Sequence, residues 1–150
     1  MSEFTPGKAT QPLMTLAGYQ AGISICYEDS FGNEVAAALP QAAFLVNTSN
    51  DAWFGDSLAP HQHLEIARMR ALETSRYMLR ATNTGISAII DHQGKLLETS
   101  PQFQPAVLSA EIQPLQGETL FARYGNKPVL ILVFSMLGLF MAINYRKRQS

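Results

Sequence analysis

The alternation of apolar and polar positions divides the chain into strand-like and helix-like stretches. In GYQAGISICYED, the row Tyr19, Ala21, Ile23 and Ile25 alternates with Gln20, Gly22, Ser24 and Cys26. A period of two predicts a strand that begins near Tyr19 and delivers Cys26 at its end, facing away from the isoleucines. In FGNEVAAALP, Phe31, Val35 and Leu39 recur at helical spacing and Pro40 ends the run, which predicts a short helix. Ala42 to Val46 form a second apolar run that opens into the polar Asn47-Thr48-Ser49-Asn50-Asp51, again a strand delivering a loop. A longer helix follows, capped by Asp56 or Ser57 with Pro60 in its first turn, and with Leu64, Ala67, Ala71, Ser75 and Met78 on one small apolar face. Glu65, Arg68, Arg70, Glu73, Arg76 and Arg80 are expected on its polar faces. Residues 85–90 pair as a hairpin with residues 95–98 across Asp91-His92-Gln93-Gly94, and residues 107–112 predict one more strand. Strands alternating with helices, then a hairpin, predict an α/β fold. The Thr/Pro/Gln-rich first dozen residues read as an extended lead-in.

The last apolar stretch is of another kind. Residues 128–145 run PVLILVFSMLGLFMAINY without a charge, and as a helix span about 27 Å, close to a bilayer core. Apolar residues cover its whole circumference, so a buried core helix would need partners on every side. Tyr145 and then Arg146, Lys147 and Arg148 resemble an interfacial anchor and a cytoplasmic basic flank. The expected organisation is a domain over residues 1–127, a transmembrane helix over 128–145 and a basic tail over 146–150.

Composition narrows the chemistry. The chain has 150 residues, 47% of them hydrophobic and 15% charged, enough for one core. A formal charge of −1, with no basic patch outside the tail, argues against nucleic acid as a partner. Cys26 is the single cysteine, so an internal disulfide and a thiolate metal site are both excluded. A thiol at a strand end, before a helix start, sits where backbone amides favour thiolate and can hold an oxyanion. The plain alternative is a small buried hydrophobe. Glu28 can orient a group or exchange a proton at such a site, or simply accept helix-start amides. His61 and His63 form an H-x-H pair without an evident third ligand, so no metal is expected, and nothing favours either as partner of Cys26. The loop from Asn47 to Gly55, with Trp53 and Phe54, reads either as a capping turn with an aromatic plug or as a wall facing a substrate.

Three stretches carry a family resemblance: Ile25-Cys26-Tyr27-Glu28-Asp29 after a β run, NTSNDAWFG at 47–55, and HQHLEIARMRALETSRYMLRATNTGIS at 61–87. Together they resemble the nitrilase, or carbon-nitrogen hydrolase, superfamily and, within it, the family of apolipoprotein N-acyltransferases. The closing apolar helix fits that family too. The resemblance implies part of an αββα sandwich followed by one carboxy-terminal transmembrane helix, in the bacterial inner membrane with the catalytic domain on the periplasmic side. It implies no cofactor. It implies that Cys26 takes an acyl chain from a phospholipid as a thioester. The acyl group then passes to the amino group of a diacylglyceryl-modified lipoprotein cysteine. Glu28 supports the site, and Tyr27 and Trp53 lie on the substrate-binding side. A glutamate base and an oxyanion-holding lysine are expected upstream of the cysteine, with several amino-terminal membrane helices. Here Glu3 and Lys8 are the only such residues before Cys26, and neither matches a motif. Residues 1–13 also lack the apolar run of a signal peptide. The expectation is a truncated piece that begins at an internal methionine and is inactive alone. The competing expectations are a membrane-anchored amidase of the same superfamily and a non-enzymatic, tail-anchored interaction module.

Overall fold

The computed structural model describes residues 11–149, with side chains to residue 145. The sheet begins earlier than the alternation implies. Strand β1 (Met14–Leu16) turns through Ala17 and Gly18, at φ of 51° and 83°, and pairs antiparallel with β2 (Tyr19–Ile25). Two consecutive positive φ values make the tight turn whose twist matches a hairpin. After a single tight helical turn at Cys26–Ser30, helix α1 spans only Gly32–Ala36. Phe31 precedes α1 and is exposed, and Leu39 follows it and is buried, so the predicted helix is cut to its middle. Strand β3 (Phe44–Ser49) runs parallel to β2.

Helix α2 (Ala59–Thr74) has Pro60 in its first turn, as expected, and Ser57 Oγ accepts from the Ala59 amide at 3.3 Å. It stops at Ser75, which adopts a left-handed conformation with φ of 51°. Met78 therefore lies on no helix face: it opens strand β4 (Met78–Thr82), parallel to β3. Strands β5 (Ala88–Ile90) and β6 (Leu96–Thr99) form the predicted hairpin, with Asp91 Oδ1 accepting from the Gln93 and Lys95 amides. The strands form one sheet in sequence order, β1 to β6, parallel at its centre and antiparallel at its flanks.

The two faces of the sheet differ. Leu45, Met78 and Ile90 align across β3, β4 and β5 and pack with Val35, Leu64, Ala67 and Ala71 of the helices. The fully buried Ala67 and Ala71 let α2 lie close, and Gly22 does the same beneath residues 37–42. A Cβ on Gly22 would come within 2.8 Å of Ala38 and Leu45. On the opposite face, Ala21 and Phe44 pack with the partly buried Ile23, Val46 and Leu79. Ile25, expected in that apolar row, is exposed.

Residues 107–112 form no strand; the segment crosses this second face in extended coil, placing Ile112 on it. Its continuation is held by the Leu115 amide on Ala43 O and by Arg76, whose buried guanidinium reaches Ala42 O and Gly117 O, each at 2.6 Å. Burial lowers the Arg76 pKa below its ordinary value. The described residues thus hold one helix layer on one sheet, the partial sandwich expected.

Helix α3 (Leu120–Tyr124), capped by Thr119 Oγ1 on the Ala122 amide, leads into α4 (Lys127–Gln149). The stretch Lys127–Tyr145 has mean hydropathy 2.0 and none of it is buried. It is long and apolar enough to cross a membrane. The strand assignment of Met78, fully enclosed between sheet and helices, makes a direct prediction. Met78→Ala should cost about 2–5 kcal/mol, read from urea unfolding in detergent; a loss near zero would mean that the core lies elsewhere.

Candidate active site

The carboxyl ends of the parallel strands β2 and β3 lie side by side, which is where open α/β sheets carry their sites. Cys26 is the first residue beyond β2 and has φ of 54°. A β-carbon in that left-handed region is disfavoured, so the chain is held there by its surroundings. Asn47 of β3 supplies the hold: its Nδ2 donates to Cys26 O at 3.1 Å and to Ser24 Oγ at 3.0 Å. The sulfur is half-buried, and Ser49 Oγ lies 3.5 Å from it.

Tyr27 and Glu28 occupy the same helical turn as Cys26. Glu28 Oε2 accepts from the Ile25 amide at 2.7 Å, so its carboxylate is turned back onto the backbone just before Cys26. That is the helix-start role weighed against a catalytic one. Tyr27 stacks on His63, ring centroids 4.5 Å apart, and meets Phe54 at 5.9 Å. Trp53 sits in the tight turn Ala52–Phe54 and is 88% exposed. The structure thus gathers Cys26, Tyr27 and Glu28, brings Phe54 to them, and leaves Trp53 at the rim.

Beneath these residues lies a charged cluster that the pattern of the sequence did not disclose. His63 is fully buried, with Nε2 at 3.1 Å from Asp29 Oδ1 and Nδ1 at 3.1 Å from Asp51 Oδ1. Arg80 Nη2 reaches Asp51 Oδ2 at 3.0 Å, while its Nη1 donates to Asn47 Oδ1 at 2.7 Å and lies 3.4 Å from Asp29 Oδ2. All four charged side chains are inaccessible to solvent. A neutral imidazole has one N–H, yet here both ring nitrogens face carboxylates, so the geometry calls for imidazolium. Two carboxylates then balance two cations.

The His63 pKa follows this arrangement. Burial, the largest influence, pulls it down; the Asp29 hydrogen bond and the charges of Asp29 and Asp51 outweigh burial and Arg80, raising it above 6.5. With both nitrogens occupied, His63 neither pairs with Cys26 nor offers a lone pair to a metal. His61 points to solvent. Gly85 completes the enclosure, because a Cβ there would come within 2.9 Å of Asp51 Cβ.

Arg80 and Arg76 had been expected on the polar side of a helix. Both are buried because the helix ends at Thr74 and the chain turns into β4. The signal that could have exposed them is the surplus of acidic and amide residues at 29, 47 and 51, which needs a buried cation once those strand ends converge.

The carbon-nitrogen hydrolase family model matches residues 2–119. The chain belongs to the carbon-nitrogen hydrolase family. Three relatives are named apolipoprotein N-acyltransferase. The Methylococcus capsulatus protein is 49% identical over 150 residues, covering 100% of this chain and 30% of that protein. The Nitrosomonas europaea protein is 52% identical over 141 residues, covering 94% and 28%. The Haemophilus influenzae protein is 46% identical over 150 residues, covering 98% and 29%. The chain therefore spans about 30% of the length of these relatives. Among solved structures, an amidase from Nesterenkonia sp. matches with TM-score 0.54 at 23% identity, over 69% of this chain and 41% of that one. A carbon-nitrogen hydrolase from Helicobacter pylori matches with TM-score 0.55 at 15% identity, over 66% and 42%. At these identities the two structures establish the carbon-nitrogen hydrolase fold.

The raised pKa of His63 fixes the sign of a stability effect. In the unfolded chain His63 titrates near 6.5, so its contribution is complete below that pH and is lost as pH rises through the higher folded value. Unfolding free energy should decline as pH is raised above about 6.5, and His63→Gln should remove most of that decline; urea titrations at a series of pH values read both.

Proposed function

We propose that this chain carries the nucleophile of a lipoprotein N-acyltransferase. In this reading Cys26 forms a thioester with an acyl chain from a phospholipid and passes it to the amino-terminal diacylglyceryl-cysteine of an apolipoprotein. The observation that carries it is Cys26 held at positive φ at a converging pair of strand ends, in a chain 49% identical along its whole length to an apolipoprotein N-acyltransferase.

The chemistry follows from the residues. The cysteine, deprotonated by a base, attacks the acyl ester carbonyl and forms a tetrahedral oxyanion. Collapse expels the lysophospholipid alkoxide, which takes up a proton, and leaves the acyl group on sulfur. The acceptor amine then attacks the thioester and restores the thiol. In this reading the backbone amides at the start of the turn Cys26–Ser30 would stabilise the oxyanion. Glu28, locked on the Ile25 amide, sets the backbone from which Cys26 projects. Tyr27, next to Cys26 in the chain, and Phe54, which packs against it, would form an aromatic wall for the site, with exposed Trp53 extending it toward the acyl or lipoprotein substrate.

Helix α4 acts in this reading as a transmembrane anchor in the bacterial inner membrane, with the catalytic domain on the periplasmic side and residues 146–150 in the cytoplasm. Apolar residues around its full circumference support that role, and a phospholipid donor would then diffuse to the site within the same bilayer.

Two measurements test the reading. In a chimera where the chain replaces the matching residues of the Methylococcus capsulatus relative, labelled phospholipid should yield a hydroxylamine-sensitive acyl group on Cys26, detected by mass spectrometry. Cys26→Ala should abolish it; release of ammonia from small amides without acyl label would point instead to an amidase. For the anchor, the intact chain should stay in the membrane pellet after alkaline carbonate. Leu137→Arg should shift it toward the supernatant, since arginine at mid-span costs about 2.5–3.5 kcal/mol.

A further inference from the structure

Ser49 closes β3 on the same side of the sheet as Cys26, and its hydroxyl reaches two groups at once. Oγ is 2.6 Å from Asp51 Oδ1 and 3.5 Å from Cys26 Sγ. A hydroxyl has one hydrogen and two acceptor lone pairs, so it donates to only one of these at a time. While Cys26 is a thiol, the shorter bond wins: Ser49 donates to Asp51, and its lone pair accepts from the S–H. Once the sulfur is ionised, that lone pair would face a negative charge. The hydroxyl must then turn and donate to sulfur.

The buried cluster makes the turn possible. Asp51 keeps two other donors, Arg80 Nη2 on Oδ2 and His63 Nδ1 on Oδ1, so releasing Ser49 does not leave its charge uncompensated. We propose that Ser49 is a positioning residue for the nucleophile, a hydroxyl that changes partner from Asp51 to Cys26 when the thiol ionises. The proposal rests on the reading of Cys26 as nucleophile. Only the S–H bond breaks, its proton leaving to the catalytic base or, in the isolated chain, to water; the Ser49 O–H bond stays intact and rotates.

The other charged groups nearby are already committed. Glu28 is turned back onto the Ile25 amide, Asp29 is held by His63 and Arg80, and Tyr27 covers the His63 ring. Asn47 holds the Cys26 carbonyl independently of Ser49, so the turn keeps its backbone anchor when the hydroxyl is removed.

The test uses the whole chain in detergent micelles, where Cys26 is the single cysteine and alkylation by iodoacetamide reads it alone. Rates followed by mass spectrometry across pH give a profile for each variant. Ser49→Ala is expected to alkylate about five- to tenfold more slowly at pH 7, with its profile displaced upward by up to about one unit. Ser49→Thr, which keeps the hydroxyl, should retain the wild-type profile. Ser49→Val, of the same shape without the hydroxyl, should behave like Ser49→Ala, so the Thr/Val pair decides the matter even if the alanine variant folds poorly. Profiles that superimpose for Thr and Val, with wild-type Cys26 reactive, would overturn the role of Ser49. A wild-type Cys26 inert at every pH would instead overturn the nucleophile reading, and this proposal with it.

Discussion

The burial of His63 between Asp29 and Asp51, with Arg80 closing the set, is the constraint on which the rest of the site depends. Its members come from four places: the turn after β2, the loop after β3, helix α2 and strand β4. Among the described residues, this cluster joins all four at the carboxyl ends of the strands. Removing one partner of such a buried set strands the remaining charge, an effect of about 3–5 kcal/mol. The cluster is therefore costly to damage even though its net contribution, weighed against an apolar replacement, is modest. What it secures is geometry: Asn47 is fixed by Arg80 on one side and holds Cys26 on the other.

Much of this could be read in the residues. The two converging strand ends, the Asp91–Gly94 hairpin and the closing apolar helix each follow from a local pattern with one dominant cause: period-two alternation, turn chemistry, or an uninterrupted apolar run. The α/β class follows from their order. Cys26 and Glu28 stood out at one strand end, whereas Tyr27 entered beside them only through the family resemblance.

What could not be read had non-local causes. Strand β4 was hidden because Met78 falls in helical register with Leu64, Ala67 and Ala71, and the break lies at Ser75, a residue without the usual signature of a left-handed cap. Once β4 is missed, Arg76 and Arg80 look like solvent-facing helix residues. Their burial depends on carbonyls and carboxylates contributed by segments far along the chain. Residues 107–112 failed in the opposite direction: their β-like composition serves a covering coil whose continuation, not a ladder, holds it, through the Leu115 amide and Arg76. Strand β1 was obscured because a three-residue strand carries too little pattern to distinguish from a lead-in.

The left-handed backbone at Cys26 has a consequence for how such a chain changes over generations. A residue with a side chain gives up about 1–2 kcal/mol to stand there, and glycine would stand there freely. Selection for a sturdier fold, acting alone, would thus erase the cysteine and reward its replacement. A sulfur kept at this position is kept against the interests of the scaffold, and its persistence across descendants would record demand for its chemistry rather than any service to folding.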